Sequence, residues 1–107
     1  METQVLKFIN DFKKQHPVEI EDTFLHGYCY WFAMILNSRF GIINTEIYYL
    51  PIQNHFITKI KDKFYDITGE VIPDEKPYLW CIYAMTDMSE CKRIIRDCIL
   101  KEDIEGE

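Results

Sequence analysis

The sequence predicts an α+β domain, with buried helices from the N-terminal half of the chain packed on a small antiparallel sheet. Three observations lead there. Apolar residues recur at helical spacing near both ends of the chain, β-branched and aromatic residues fill its middle, and two of the middle segments are separated only by Lys61-Asp62. At 107 residues the chain is expected to form one compact domain over 1–107, with material for a single core. Hydrophobic residues at 48% and aromatics at 15% exclude a disordered chain.

The elements follow in order. Val5, Leu6, Phe8, Ile9 and Phe12 lie at helical spacing after Thr3 as a cap, and Pro17 stops the pattern, so residues 3–15 read as an amphipathic helix. An acidic connector, 19–23, leads to a second helix. Its stripe is Cys29, Phe32, Ala33, Leu36 and Phe40, widened by Trp31 and Ile35, with Gly41 as a left-handed terminus. Ile43 to Leu50 has strand composition and is closed by Pro51. His55–Ile60 and Lys63–Ile67 then form a hairpin. Gly69, Pro73 and Pro77 mark turns. The continuously apolar stretch 78–85 fits a buried strand or a short buried segment. Asp87 and Glu90 form a capping box for a last helix with Cys91, Ile94, Ile95, Cys98 and Ile99 inside it, and the acidic tail 101–107 is expected to fray.

Charge and cysteine usage narrow the function. Twelve Lys plus Arg against 18 Asp plus Glu give a net charge of −6, which disfavours nucleic-acid binding through phosphate neutralisation and leaves a protein or peptide as the expected partner. Met1-Glu2-Thr3-Gln4 passes straight into charged amphipathic sequence, and no apolar run reaches the ~18 residues of a membrane span. A cytoplasmic location is expected. Cys29, Cys81, Cys91 and Cys98 are therefore read as free thiols.

One of the four stands apart. Cys29 opens its helix directly after Gly27-Tyr28, where unpaired backbone N–H groups and the helix dipole favour a thiolate. Cys91 and Cys98 fall inside a helix, and Cys81 has no helix start. A two-residue hairpin loop sets Ile60 opposite Lys63, Ile57 opposite Asp66 and His55 opposite Thr68. His55 and Asp66 then share a face as diagonal neighbours, roughly 7 Å apart. A register slip of one residue would separate them. A cysteine, a histidine and an aspartate so arranged are the parts of a thiol nucleophile, its base and the group that orients the base.

In Gly27-Tyr28-Cys29-Tyr30-Trp31-Phe32-Ala33, His55-Phe56-Ile57-Thr58 and Phe64-Tyr65-Asp66-Ile67-Thr68, the chain resembles the papain-like and transglutaminase-like superfamily of cysteine-triad proteins. The resemblance covers residues 27–68. It implies a papain-like or transglutaminase-like core, with Cys29 as nucleophile, His55 as general base and Asp66 as orienting residue. A small cysteine-dependent hydrolase or acyltransferase working through a Cys29 thioester, with no cofactor, is the function it implies. The papain group places a glutamine shortly before its cysteine as an oxyanion donor. Here that region reads Glu21-Asp22-Thr23. The Cys29 backbone N–H is one candidate donor, and Gln15 and Asn54 are candidates for the second.

Each feature also has a plainer reading. Cys29 can be a small buried hydrophobe, His55 a strand-end residue satisfied by backbone, and Asp66 a turn cap for Thr68. His26-x-x-Cys29 with His55 or Cys81 lacks the paired spacing of a zinc site, and no metal is expected. His16 reads as a solvated helix end. The alternative function is a non-catalytic binding protein, because small acidic single domains of this kind are similar to phage-encoded inhibitors of host defence, including anti-CRISPR proteins.

Overall fold

The computed structural model describes residues 2–15, 28–41, 43–86 and 88–96. The expectations for His16, Pro17, the 19–23 connector, His26, Gly27, Asp87, Cys98, Ile99 and the 101–107 tail lie outside the described residues. The elements are α1 (Glu2–Lys14), α2 (Cys29–Phe40), β1 (Thr45–Leu50), β2 (His55–Ile60), β3 (Lys63–Asp66), β4 (Gly69–Val71), β5 (Tyr78–Leu79), α3 (Trp80–Thr86) and α4 (Met88–Ile94). The fold is α+β, with helices packed against an open five-stranded sheet of order β4-β3-β2-β1-β5 in which neighbouring strands pair antiparallel.

The helix-facing side of the sheet carries Tyr49, Phe56, Ile60 and Tyr65, as period-2 alternation requires of one face. Two clusters meet it. Val5 and Ile9 of α1 join Phe32, Leu36 and Phe40 of α2 over Ile60, Tyr65 and Ile67. Cys29 and Ala33 join Tyr49, Phe56 and Ile94, with Trp80 and Tyr83 packed alongside. Helix α2 contributes to both clusters. That position follows from its composition, which places five buried side chains on 12 residues.

The hairpin has the pairing the loop length predicts. Ile60 stands opposite Lys63, Lys59 opposite Phe64 and Thr58 opposite Tyr65, with Lys61 turning the chain at φ 61°. The β2–β3 ladder stops at Thr58–Tyr65. Asp66 ends β3 because its Oδ1 accepts the Thr68 backbone N–H at 2.8 Å, an Asx turn that leads the chain back into β4.

Several boundaries differ from the sequence expectation. Residues 43 and 44 are a turn, since Asn44 N–H donates to the Gly41 carbonyl at 3.0 Å, and β1 starts at Thr45. Gly41 has a positive φ of 91°, but its ψ of 141° is not the left-handed helical value. Gly69, expected in a turn, opens strand β4 at φ 117°. The 78–85 stretch is a two-residue edge strand followed by a helix with no buried residue, Ile82 and Met85 being 58% and 78% exposed. An unbroken apolar run carries no period, so only contacts decide it. Here Trp80 and Tyr83, three residues apart, both rest on Tyr49. Trp31 does not widen the buried stripe and is 41% exposed.

Candidate functional site

Cys29 is the first residue of α2, so its backbone N–H has no acceptor within the helix and its side chain sits where the helix dipole favours negative charge. The thiol is buried and free, as is that of Cys91, whereas Cys81, expected to have no helix start, is free, exposed and the second residue of α3. Cys29 Sγ accepts a hydrogen bond from the Phe56 backbone N–H at 3.4 Å. That amide is available because the β2–β3 ladder has already ended.

His55, the first residue of β2, stands at the same end of the sheet. Its Nε2 lies 3.0 Å from Asp66 Oδ2, with both side chains about nine-tenths buried. The Cys29 side chain also acts on the ring, in the sense that favours its protonated form. Burial works against a charged imidazole here, but the bond to Asp66 and the influence of the Cys29 side chain outweigh it and push the His55 pKa up to about 9. Burial likewise opposes ionisation of Asp66. The bonds from His55, from the Thr68 hydroxyl and from the Thr68 backbone N–H hold its carboxyl below the ordinary carboxylate range.

Each sequence-selected side chain therefore has a position. His55 and Asp66 bond each other, and Cys29 bonds the backbone of Phe56, the residue after His55. Asp66 caps the turn at Thr68 with one oxygen, as its plainer reading has it, and meets His55 with the other. Gln15 is exposed just beyond α1. Asn54, in the turn before His55, has φ 53° and accepts the Tyr49 hydroxyl through Oδ1. Among the described residues, no group of three or more His, Cys, Asp or Glu side chains is arranged to hold a metal ion. No described helix is long and apolar enough to cross a membrane.

Three contributors were not singled out from sequence: the Phe56 N–H, Tyr49 and Arg93. The first is a backbone group and has no sequence signature. Tyr49 reads as core, which it also is, at 0% exposure. Arg93 bonds Glu90 through Nε and Nη2, and Glu90 first, with Tyr49 adding to it, favours its charged form, an influence visible only once α4 is laid against β1.

A cleft of about 330 Å³ opens on the His55–Asp66 pair between Leu50, Gln53, Val71 and Pro73. Cys29 is not one of its walls. A larger groove of about 850 Å³, between Tyr48, Ile52, Tyr78 and Ile82, touches none of the three side chains.

The fold and this cluster define a small α+β domain with a buried cysteine, histidine and aspartate at one end of an open sheet. Residues 5–98 match the family described as Phage YunG-like protein, and the chain belongs to that family. No curated protein and no solved structure matches it.

Proposed function

We propose that the protein is a small cysteine-dependent hydrolase or acyltransferase with a papain-like or transglutaminase-like core, acting through a thioester on Cys29. The observation that carries this reading is the buried imidazole of His55, bonded to Asp66 at 3.0 Å one residue before the Phe56 N–H that bonds Cys29 Sγ. Since Nε2 meets the carboxylate, Nδ1 is the nitrogen that serves the thiol. The proton of Cys29 passes to His55, Asp66 holds the resulting imidazolium, and the Phe56 N–H steadies the thiolate. The thiolate attacks an acyl carbon, the protonated ring delivers a proton to the leaving amine, and a thioester remains for water or a second amine. A peptide bond, an isopeptide bond or a glutamine side-chain amide is the target class.

Iodoacetamide tests the nucleophile directly. At neutral pH, Cys29 in the folded protein should alkylate faster than Cys81 or Cys91, and His55→Ala should slow it at least tenfold. A Cys29 no faster than a cysteine of the unfolded chain removes the basis of this reading.

A second reading has its own support. Membership of a family named for a phage protein speaks more directly for a phage-encoded inhibitor of a host defence system than for an enzyme, and Cys29 is only 4% exposed. Under it the cluster is a packing device. Cys29→Ala would then leave protection of a phage plated on a defence-bearing host unchanged, whereas loss of protection with unchanged thermal stability argues for chemistry.

A further inference from the structure

We propose that the open edge of β1 at Thr45, Glu46 and Ile47 docks an extended segment of a partner protein, in which a basic side chain faces Glu46 between two small apolar ones. The site lies apart from Cys29 and does not depend on its chemistry.

Strand β5 is too short to cover its neighbour. It pairs with β1 at Tyr48 and Tyr49 only, and the chain then turns into α3 at Trp80. Thr45, Glu46 and Ile47 pair on one side with Ile60, Lys59 and Thr58 of β2, and no described strand lies along the other side. Every second residue of a strand turns its N–H and C=O to the same side, so this stretch presents backbone groups to a further strand. A cleft of about 290 Å³ marks the place that strand would take, between Ile47, Leu79, Trp80 and Asn37 of α2. His55 pairs with Leu50, at the other end of β1.

Side-chain alternation sets the sequence of the occupant. A residue opposite Glu46 points to the sheet face that Glu46 occupies, and the residues flanking it point to the other face. There Ile47 and Trp80 pack against the core, and a cleft of this size between them suits small apolar side chains. Glu46 is exposed and takes part in none of the ion pairs among the described residues. Lys59, directly across from it, holds its ammonium 5.9 Å from the centre of the Tyr48 ring. A second copy of the chain fits poorly, because two β1 edges joined about Glu46 would set carboxylate against carboxylate on chains that each carry −6. A Lys or Arg in that position gains a cross-strand partner instead.

Cys81, a free and exposed thiol lining the same cleft, reports occupancy. The probe is acetyl-Val-Lys-Val-Gly-Gly-Cys-amide with its thiol held as the mixed disulfide of 5-thio-2-nitrobenzoate. The Cys81 thiolate attacks the peptide sulfur, a protein–peptide disulfide forms, and coloured 5-thio-2-nitrobenzoate leaves with the electron pair. At low ionic strength the Lys peptide should label Cys81 about tenfold faster than its Glu counterpart. Glu46→Lys should reverse that order. Glu46→Gln, which covers the case of a Lys variant that fails to fold, should bring the two peptides within about twofold. A Lys peptide methylated on its backbone nitrogens keeps the charge without the donors and should lose the advantage. Diffuse attraction to an acidic chain would survive Glu46→Lys, since exchanging −1 for +1 takes the net charge from −6 only to −4. A Lys preference that persists in both variants, or a methylated peptide as fast as its parent, overturns the proposal.

Discussion

His55 joins stability to pH. Its pKa is raised from 6.5 to about 9 in the folded protein, so the folded state holds a proton that the unfolded chain releases first. The stabilisation is fully present below about pH 6.5 and is lost as pH rises through about 9, by on the order of 3 kcal/mol at most. Asp66 has the opposite sign. Its contribution is present above the ordinary carboxylate value of 3.8 and disappears as pH falls below it. Urea denaturation at a series of pH values should therefore give a plateau between about pH 4 and 6.5 with a decline on either side. His55→Gln should flatten the alkaline limb. An alkaline limb unchanged in that variant would mean that another group causes it.

At the scale of elements, the hairpin was legible and the strap after it was not. The Lys61-Asp62 loop fixed the register, and with it the diagonal that brings His55 to Asp66, because side chains alternate with a period of two. Helix α2 was equally readable from its stripe. Residues 69–79 escaped because their structure depends on partners distant in sequence. Gly69 enters a strand only by pairing with Asp66, and Tyr78–Leu79 becomes a strand only by lying along Tyr48–Tyr49. The loop between them is anchored by Glu75, which accepts the Ile52 and Gln53 backbone N–H groups at 2.9 Å each. Glu75→Gln keeps one acceptor oxygen of the two, and should cost about 0.5–1.5 kcal/mol. Amide exchange at residues 52 and 53 should quicken while that of Ile57 stays slow. Uniform quickening across β2 would place the anchor's effect in the whole sheet instead.

For the whole molecule, helix α2 is the shared member of both apolar clusters, so the cysteine end and the α1 end of the core are not independent. Leu36 is fully buried in the α1 cluster, and Leu36→Ala should cost about 2–5 kcal/mol. Because the two clusters hold the same helix, fluorescence from Trp80 in the other cluster should report the same transition midpoint as far-UV circular dichroism. Separate midpoints would show that the ends unfold apart. Composition and periodicity foresaw a single core, but not its division about one helix, which arises from how α1 and the α3–α4 pair share the length of α2.

The end of the β2–β3 ladder at Thr58–Tyr65 also supplies an observable of its own. The Phe56 amide proton points at sulfur, a weaker acceptor than the carbonyl it would meet in a continued ladder. Its ¹⁵N resonance is thus a direct sensor of the charge and substitution state of Cys29. Any acyl group, alkyl group or oxygen added to that sulfur will move this one cross-peak before it moves the rest of the spectrum.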